Sequence, residues 1–183
     1  GIRKDLGIDV INDDDALNNG FLPEPTNDYP DLIDVLSDLV DKKFEYGGET
    51  IKYPSDPKNF WQEDIRKGYQ SNKTYLKGDV LTEHEYSNHS ERVREKFSYM
   101  IKNNGEIPEK FKTKKFAQRL LPKKWGKKGP TITATSLPDD FVHYSQARSP
   151  TVREWARLQT FPDWYQFAGK RTTGGIRRAG NPR

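Results

Sequence analysis

The side chains that could perform metal or acid–base chemistry form two small groups in this 183-residue sequence. One is the aspartate run Asp13–Asp15, and the other places His84 and His89 beside glutamates. A calcium loop needs oxygen ligands at alternating positions, and counting from Asp9 that pattern fails at Ile11. The histidine spacing matches no common zinc pattern. We therefore predict a solvated acidic turn, histidines that cap or pack loops, and no metal site.

The sequence contains no cysteine, which excludes disulfides, thiolate metal ligands and cysteine nucleophiles. A metal-dependent nuclease that uses the aspartates is an alternative, but no spacing here gives it the convergent carboxylates it needs. No apolar run reaches the about 18 residues of a membrane-spanning helix. The opening GIRKDLGIDV lacks the apolar stretch of a signal peptide. We expect a cytoplasmic protein without membrane contact.

Charge is distributed unevenly along the chain, although the net charge is only +4. Residues 1–64 contain 16 acidic and 6 basic side chains, whereas residues 65–183 contain 11 acidic and 25 basic ones. A basic second part is typical of a protein that binds a polyanion; the alternative is a solvated surface attracted to the acidic part. Because residues 1–64 would repel DNA, we expect them to face away from a duplex.

The basic side chains are densest in residues 105–128, where nine Lys/Arg stand against two Glu and alternate with aromatic residues. Such lysines and arginines neutralise phosphates, which gives a nucleic-acid affinity that falls steeply with salt. The predicted phosphate-binding residues are Lys114, Lys115, Arg119, Lys123, Lys124, Lys127 and Lys128.

Residues 44–80 have no regular apolar period and mix glycine, proline, aromatic and lysine residues. Their aromatic side chains could build a local core or a contact surface for nucleic acid, and loops often bear the function of a fold. Base edges are commonly read by Arg, Lys, Asn and Gln. The candidates in this region and in residues 105–128 are Gln70, Asn72, Lys73, Gln118 and Arg119.

Apolar residues at helical spacing predict two helices. In residues 30–44 the polar residues, including Asp38, fall on the opposite face, and Lys42 and Lys43 follow at the C-terminal end. The second helix begins after Ser90 and ends near Gly105. PTITAT, residues 130–135, predicts a short strand. A mean hydropathy of −1.01 and many prolines and glycines indicate a modest core with long loops.

The segment RSPTVREWARLQTFPDWYQF, Arg148–Phe167, is the most strongly patterned part of the chain. Thr151 and Glu154 have the spacing of a capping box, with Val152 as the first helical residue. Pro162 restricts the residue before it and helps to stop the helix. Taken alone, the segment predicts a stable docking helix with structural arginines.

This segment resembles the ninth conserved motif of DNA (cytosine-5) methyltransferases, roughly R-x-L-T-x-R-E-x-A-R-L-Q-x-F-P-D-x-Y-x-F. The one departure is Pro150, where leucine is usual. Upstream, KKGPTITATSLPDDFVHY is similar to the family's P-x-x-T-I-T-A segment and the F-I-H after it. SNHSERVREKF resembles a helix of bacterial target-recognition domains, and GIRKDLG resembles the strand exit after the eighth motif. The resemblance covers most of residues 1–168 and is specific from Gly129 to Phe167.

The family's catalytic domain has a Gly-rich loop for S-adenosylmethionine, a Pro-Cys dipeptide and a Glu-Asn-Val segment, and none occurs here. Its chemistry needs a thiolate that attacks C6 of a flipped cytosine. The resemblance therefore implies a target-recognition fragment of a bacterial restriction-modification enzyme, inactive alone. S-adenosylmethionine would be bound only by the parent enzyme. The implied partners are double-stranded DNA and the missing catalytic domain, in cis or as a split subunit. A stand-alone protein-interaction module on the same fold is the alternative.

In the family the ninth motif chiefly supports the recognition domain, which assigns support to Arg148, Thr151, Arg153, Glu154, Arg157 and Gln159. The resemblance adds Thr131 and Thr133 to the DNA-binding candidates, because Thr133 aligns with a position that touches the backbone beside the flipped nucleotide. We expect an α+β fold, with a small twisted, mostly antiparallel sheet, several helices and long loops. The expected parts are a connecting arm (1–29), the recognition domain (30–135), the ninth-motif helix (136–168) and an Arg/Gly-rich loop (169–183).

Overall fold

The protein is described by a computed structural model over residues 29–112, 117–124 and 140–168. Its helices are α1 (Leu32–Leu36), α2 (Phe60–Ile65), α3 (Glu91–Lys102) and α4 (Val152–Leu158), with a 3₁₀ turn at Glu109–Phe111. Strands β1 (Arg119–Leu120) and β2 (Phe141–Val142) pair in parallel, with Arg119 opposite Phe141. None of the helices in these ranges is long and apolar enough to cross a membrane.

Isolated antiparallel bridges connect the loops between α1 and α3. They join Glu49 to Glu85, Lys52 to Val80, and Lys67 to Thr74. The small, mostly antiparallel sheet expected from the sequence stays a prediction, as do the four domain boundaries. The predicted strand at residues 130–135 lies outside the described residues.

Helix α1 is shorter than the apolar pattern of residues 30–44 predicts, because it ends at Leu36. The expected apolar face is buried, including Leu39 beyond the helix end. The expected solvated face is wrong at Asp38, which is 0% exposed and binds two arginines from other elements. Lys42 and Lys43 therefore lie in a turn rather than at a helix end. These long-range ion pairs override the local helical pattern.

Helix α3 follows its prediction closely. Ser90 is the N-cap residue, and its carbonyl accepts from Arg94 N–H at 3.0 Å. Phe97 and Met100 are fully buried on the predicted apolar face. At the other end Gly105 has φ +91° and donates to the Met100 carbonyl, which closes the helix.

The core has two adjoining parts. The first contains Leu32, Val35, Leu36, Leu39, Tyr53, Leu81, Leu121, Phe141 and Tyr144. The second contains Phe97, Met100 and Val142, which attach α3 to β2. Helix α1 packs against both α2 and α4, so the ninth-motif segment rests on residues more than one hundred positions earlier in the chain.

Helix α4 begins with the predicted capping box. Thr151 Oγ1 accepts from Glu154 N–H at 3.2 Å, and Glu154 Oε2 accepts from Thr151 N–H at 2.9 Å. The helix ends in a Schellman motif, with Thr160 N–H donating to the Arg157 carbonyl and Phe161 N–H to the Ala156 carbonyl. Thr160 has φ +62°, so a β-branched residue in the left-handed region makes the stop before Pro162 is reached.

Candidate functional site

The charged side chains of the ninth-motif segment lie inside the molecule. Arg148, Arg153 and Glu154 are 0% exposed, and Arg157 is 1% exposed. A charge removed from water is destabilising unless it is paired and hydrogen-bonded, so the partners of these four groups determine what the segment does.

Arg157 joins the beginning and the end of the described chain. Its guanidinium donates to both carboxylate oxygens of Asp163, at 3.0 and 2.6 Å. It also donates to Asp38 Oδ1 at 2.6 Å and to the Val35 carbonyl at 2.8 Å. Burial opposes ionisation, but the two carboxylates outweigh it and raise the pKa of Arg157 above its ordinary value.

Asp38 is shared with a second buried arginine, Arg66, which follows α2. Arg66 Nη2 lies 2.5 Å from Asp38 Oδ2, and its guanidinium carbon lies 3.9 Å from the centre of the Tyr53 ring. Tyr53 donates its hydroxyl to Asp163 Oδ2 at 2.6 Å. We call Asp38, Arg66, Arg157 and Asp163 the arginine–aspartate cluster; its two positive and two negative charges balance.

Arg148 and Glu154 form a second buried pair. Arg148 Nη1 and Nη2 donate to the two Glu154 oxygens at 2.7 and 2.6 Å, and Arg148 also donates to Gln146 Oε1. Burial raises the pKa of Glu154, but the Arg148 charge and its hydrogen bonds outweigh burial and hold that pKa well below its usual range. The pair therefore stays ionised and fixes the loop before α4 to the first turn of the helix.

His84 extends this polar core towards α1. Its Nε2 lies 3.0 Å from the Leu39 carbonyl, which can only accept, so Nε2 carries the proton. Its Nδ1 therefore accepts from Thr151 Oγ1 at 2.8 Å. Burial lowers the pKa of His84 to about 4, which keeps the ring neutral near pH 7. The predicted loop-packing role of this histidine is confirmed.

His143 lies beside the Arg148–Glu154 pair. Its Nδ1 accepts from the backbone N–H groups of Ser145 and Gln146 at 3.2 and 3.0 Å. Its Nε2 is 3.5 Å from Glu154 Oε1. Burial lowers the pKa of His143 to about 3, so this ring is also neutral near pH 7.

Arg153 ties α4 to two loops. It donates to the Thr82 carbonyl and hydroxyl at 3.2 and 3.0 Å and to the Tyr165 carbonyl at 2.9 Å. Its own N–H donates to the Glu83 carbonyl. Gln159, the remaining predicted support residue, is exposed, and its backbone N–H closes the end of α4.

The buried charged groups and their partners form a connected network, which we call the brace. Each of the four arginines and three carboxylates described above has charged or hydrogen-bonding partners in the protein interior. Within residues 29–112, 117–124 and 140–168, no group of three or more histidine or acidic side chains could hold a metal ion. The aspartate run Asp13–Asp15 lies outside those residues.

The predicted phosphate-binding residues lie on the surface where they are described. Arg119, Lys123 and Lys124 are exposed on and after β1, and the Arg119 guanidinium lies 4.3 Å from the centre of the Phe141 ring. The other candidates lie outside the described residues: Lys114, Lys115, Lys127, Lys128, Thr131 and Thr133.

The predicted base-reading candidates lie in two places. Gln70, Asn72 and Lys73 are exposed together in the loop that follows α2. Gln118 is partly buried and accepts from Lys96, and so belongs to the surface between α3 and β1.

An aromatic surface follows α4. The rings of Tyr165 and Phe167 lie 4.9 Å apart and are both 38% exposed. Trp164, 36% exposed, lies 6.0 Å from Tyr165 and 4.7 Å from Tyr69 of the loop after α2. The FPDWYQF end of the motif therefore points Asp163 inwards and these rings outwards.

The sequence patterns do not predict the buried, paired roles of Asp38, Tyr53, Arg66 and His143. Asp38 was assigned to a solvated face, and Tyr53 and Arg66 belong to a stretch without a period. No local signal marks them, because each acquires its partner from a distant part of the chain. His143 was the third residue of the F-I-H resemblance, which is the one signal that could have found it.

The sequence matches one protein family and several known proteins. Residues 9–182 match the C-5 cytosine-specific DNA methylase family. The chain is 33% identical over 180 residues to the Type II methyltransferase M.DdeI of Desulfomicrobium norvegicum, covering 89% of this chain and 41% of that protein. It is 34% identical over 96 residues to the Type II methyltransferase M.AquIB of Picosynechococcus, covering 52% of this chain and 66% of that protein.

A third relative is the Type II methyltransferase M1.HphI of Haemophilus parahaemolyticus, 37% identical over 95 residues that cover half of this chain and a quarter of that protein. The chain thus spans less than half the length of M.DdeI. The match to the family extends over nearly the whole sequence and confirms the resemblance carried by the ninth motif. The chain belongs to the C-5 cytosine-specific DNA methylase family.

Proposed function

We propose that this chain provides the DNA target-recognition part of a restriction-modification enzyme that transfers a methyl group to C5 of cytosine. The family match and the names of three relatives as Type II methyltransferases support the enzyme class. The chain's own part is to hold the duplex and select the sequence.

One observation carries this assignment to recognition rather than to catalysis. All four charged side chains of this segment are buried and paired: Arg148 with Glu154, Arg153 with Thr82, and Arg157 with Asp38 and Asp163. A substrate could not reach them, but removing them would release the loops that they join. The segment fits a support for recognition loops.

The absence of cysteine also supports assigning recognition, rather than catalysis, to this chain. The family's reaction needs a thiolate that adds to cytosine C6, and S-adenosylmethionine supplies the methyl group when bound to the parent enzyme. No Gly-rich cofactor loop occurs in the sequence, so the residues present do not fit that cofactor. The thiolate and the cofactor site are assigned to a catalytic lobe, and this chain binds and orients the DNA.

The catalytic lobe is the second proposed partner, and the aromatic surface after α4 is its contact. Trp164, Tyr165 and Phe167 are each more than one third exposed although they adjoin the buried brace. Large aromatic side chains at the surface are enriched in protein interfaces. The alternative, a module that binds an unrelated protein, uses the same surface but requires no DNA affinity.

A gel-shift titration with duplex DNA at several salt concentrations tests the function. We expect affinity that falls as salt rises, by a log–log slope of about 0.9 for each phosphate neutralised. Replacing Lys123, Lys124, Lys127 and Lys128 with alanine should weaken binding to every sequence and flatten that slope, because phosphate contacts carry no sequence information.

The matched control replaces four exposed lysines elsewhere, Lys42, Lys43, Lys52 and Lys102, which changes the net charge by the same amount. It should leave most of the salt dependence in place. No binding by the wild type even at low salt would contradict the proposed function. Equal effects of the two quadruple variants would mean that the basic stretch is not the phosphate contact.

A further inference from the structure

The loop after α2 is a hairpin with a defined shape. Lys67 and Thr74 form an antiparallel bridge, and Gly68 N–H donates to the Lys73 carbonyl at 3.0 Å. Ser71 N–H donates to the Gly68 carbonyl, which closes the tip. We call residues 67–74 the recognition hairpin.

The base of the recognition hairpin is anchored in the buried brace. Arg66, the residue before it, donates to the Tyr75 and Ser55 carbonyls and is paired with Asp38. The Tyr75 N–H returns a bond to the Arg66 carbonyl at 3.1 Å. The two ends of the hairpin are therefore fixed by a side chain that is 0% exposed.

The tip is supported from the side by the ninth motif. The Tyr69 ring lies 4.7 Å from the Trp164 ring. Trp164 follows Asp163, whose carboxylate belongs to the arginine–aspartate cluster. Both the base and the flank of the hairpin thus connect to the same buried charges, and these contacts favour one arrangement of the hairpin.

The tip presents polar side chains to solvent. Gln70, Asn72 and Lys73 are exposed, and no core contact requires their chemistry. Gln70 has φ +51°, a conformation that disfavours residues other than glycine. Strain of this kind persists only where the surroundings impose it, here the closed frame of the hairpin.

We propose that Gln70, Asn72 and Lys73 read base edges of the DNA target, an inference that rests on the proposed function. Asn and Gln match the adjacent donor and acceptor of adenine in the major groove, and Lys matches the two acceptors of guanine. A two-stranded ribbon is narrow enough to enter that groove. Lys67, at the base of the hairpin, is paired with Asp64 at 2.8 Å, so the exposed Lys73 supplies the positive charge at the tip. Preorganisation removes the ordering cost of binding.

Selection from a pool of random duplexes tests the inference. The full 183-residue chain is used to enrich bound DNA over several rounds, and the bound pool is sequenced; total affinity for the unselected pool at low salt is measured separately. The same is done for the triple variant Gln70→Gly, Asn72→Ala and Lys73→Ala. Glycine at position 70 removes the side chain and accepts the positive φ, so the hairpin backbone is preserved. Lys43→Ala, exposed and remote from the hairpin in sequence, is the control for lost charge.

We expect the wild type to enrich a defined sequence and the triple variant to lose about tenfold or more of that preference at one or more base positions. Its affinity for the unselected pool should stay within about threefold of the wild type, because phosphate contacts remain. Lys43→Ala should behave as the wild type in both measurements.

One outcome would overturn the inference while leaving the proposed function in place: the triple variant enriches the same sequence as the wild type. If the wild type binds DNA without enriching any sequence, the inference fails together with the sequence-selecting part of the proposed function. Failure of the wild type to bind DNA at all would overturn the proposed function, and the inference with it. Thermal unfolding of the triple variant at the wild-type temperature confirms that a lost preference is not lost folding.

Discussion

Arg157 binds four oxygen atoms with one guanidinium group, two from Asp163, one from Asp38 and one from the Val35 carbonyl. A planar, permanently charged fork suits this arrangement because its donors point in fixed directions. The same side chain thereby neutralises carboxylates from the beginning and the end of the described chain. The charged residues of the ninth-motif segment thus link distant parts of the chain inside the molecule.

Arg157→Lys should destabilise the protein although the charge is kept. A single ammonium cannot serve Asp163, Asp38 and a carbonyl together, so part of a buried carboxylate pair loses its partner, at a cost of about 3–5 kcal/mol. Urea unfolding followed by tryptophan fluorescence measures the change. Arg92→Lys, at an exposed position on α3, is the matched control and should shift stability by about 0.5 kcal/mol or less. Similar shifts in the two variants would contradict the role given to Arg157.

The sequence predicts such residues only where their partners are close along the chain. The Thr151–Glu154 capping box spans one helical turn, and both of its hydrogen bonds are present. The helical pattern predicts Asp38 on the solvated face because it falls among the polar residues opposite the apolar ones. Its partners, Arg66 and Arg157, lie 28 and 119 positions away.

Helices α1 and α4 show that whole helices, too, are predicted correctly only where the deciding contacts are close along the chain. Residues 148–167 contain their own start and stop signals, so α4 lies where the pattern predicts. Residues 30–44 have a good helical period, but only Leu32–Leu36 form a helix, because Asp38 turns inwards to meet two arginines. Ion pairs between distant residues can therefore set the backbone conformation against the local apolar pattern.

At the end of α4 we predict a substitution that increases the stability of the protein. Thr160 holds φ +62° in the Schellman motif, where a β-branched residue is strained and glycine is not. Thr160→Gly should therefore stabilise the protein by about 0.5–1 kcal/mol, the relief of strain exceeding the entropy that glycine adds to the unfolded chain. The readout is the urea midpoint.

Gln159→Gly is the comparison for that variant. Gln159 precedes Thr160 and has φ −101°, so glycine there relieves nothing and should destabilise by a few tenths to about 1 kcal/mol. Stabilisation by both substitutions, or by neither, would show that backbone strain at position 160 is not the cause.

For the whole molecule, two buried histidines should make stability depend on pH. Their ordinary pKa is 6.5, and in the folded protein it is lowered to about 4 for His84 and to about 3 for His143. As pH falls below 6.5, the unfolded chain takes up protons that the folded chain does not, so folding stability decreases. The expected slope approaches about 1.4 kcal/mol per pH unit for each histidine, and it persists down to the folded pKa values.

Urea unfolding at about pH 7 and about pH 5 measures this slope. Glu154 and Asp163 have lowered pKa values, so their contribution is present above their ordinary values and is lost only at more acidic pH. The double variant His84→Gln with His143→Asn should be less stable at pH 7 but should change less between the two conditions. A wild-type stability that does not fall towards pH 5 would contradict neutral, buried rings.

The sharing of Asp38 between two arginines also determines which of its contacts can form first during protein synthesis. A ribosome delivers Asp38 and Arg66 within 28 residues of each other, but Arg157 and Asp163 follow roughly a hundred residues later. Until then Asp38 has one cationic partner and Tyr53 has no carboxylate for its hydroxyl. The hairpin at residues 67–74 takes its base contacts from residues 38 to 75, so these can form early, but the Trp164 ring beside Tyr69 is added only with the last described segment. A product interrupted before Trp164 would therefore carry this hairpin without the aromatic ring that flanks its tip.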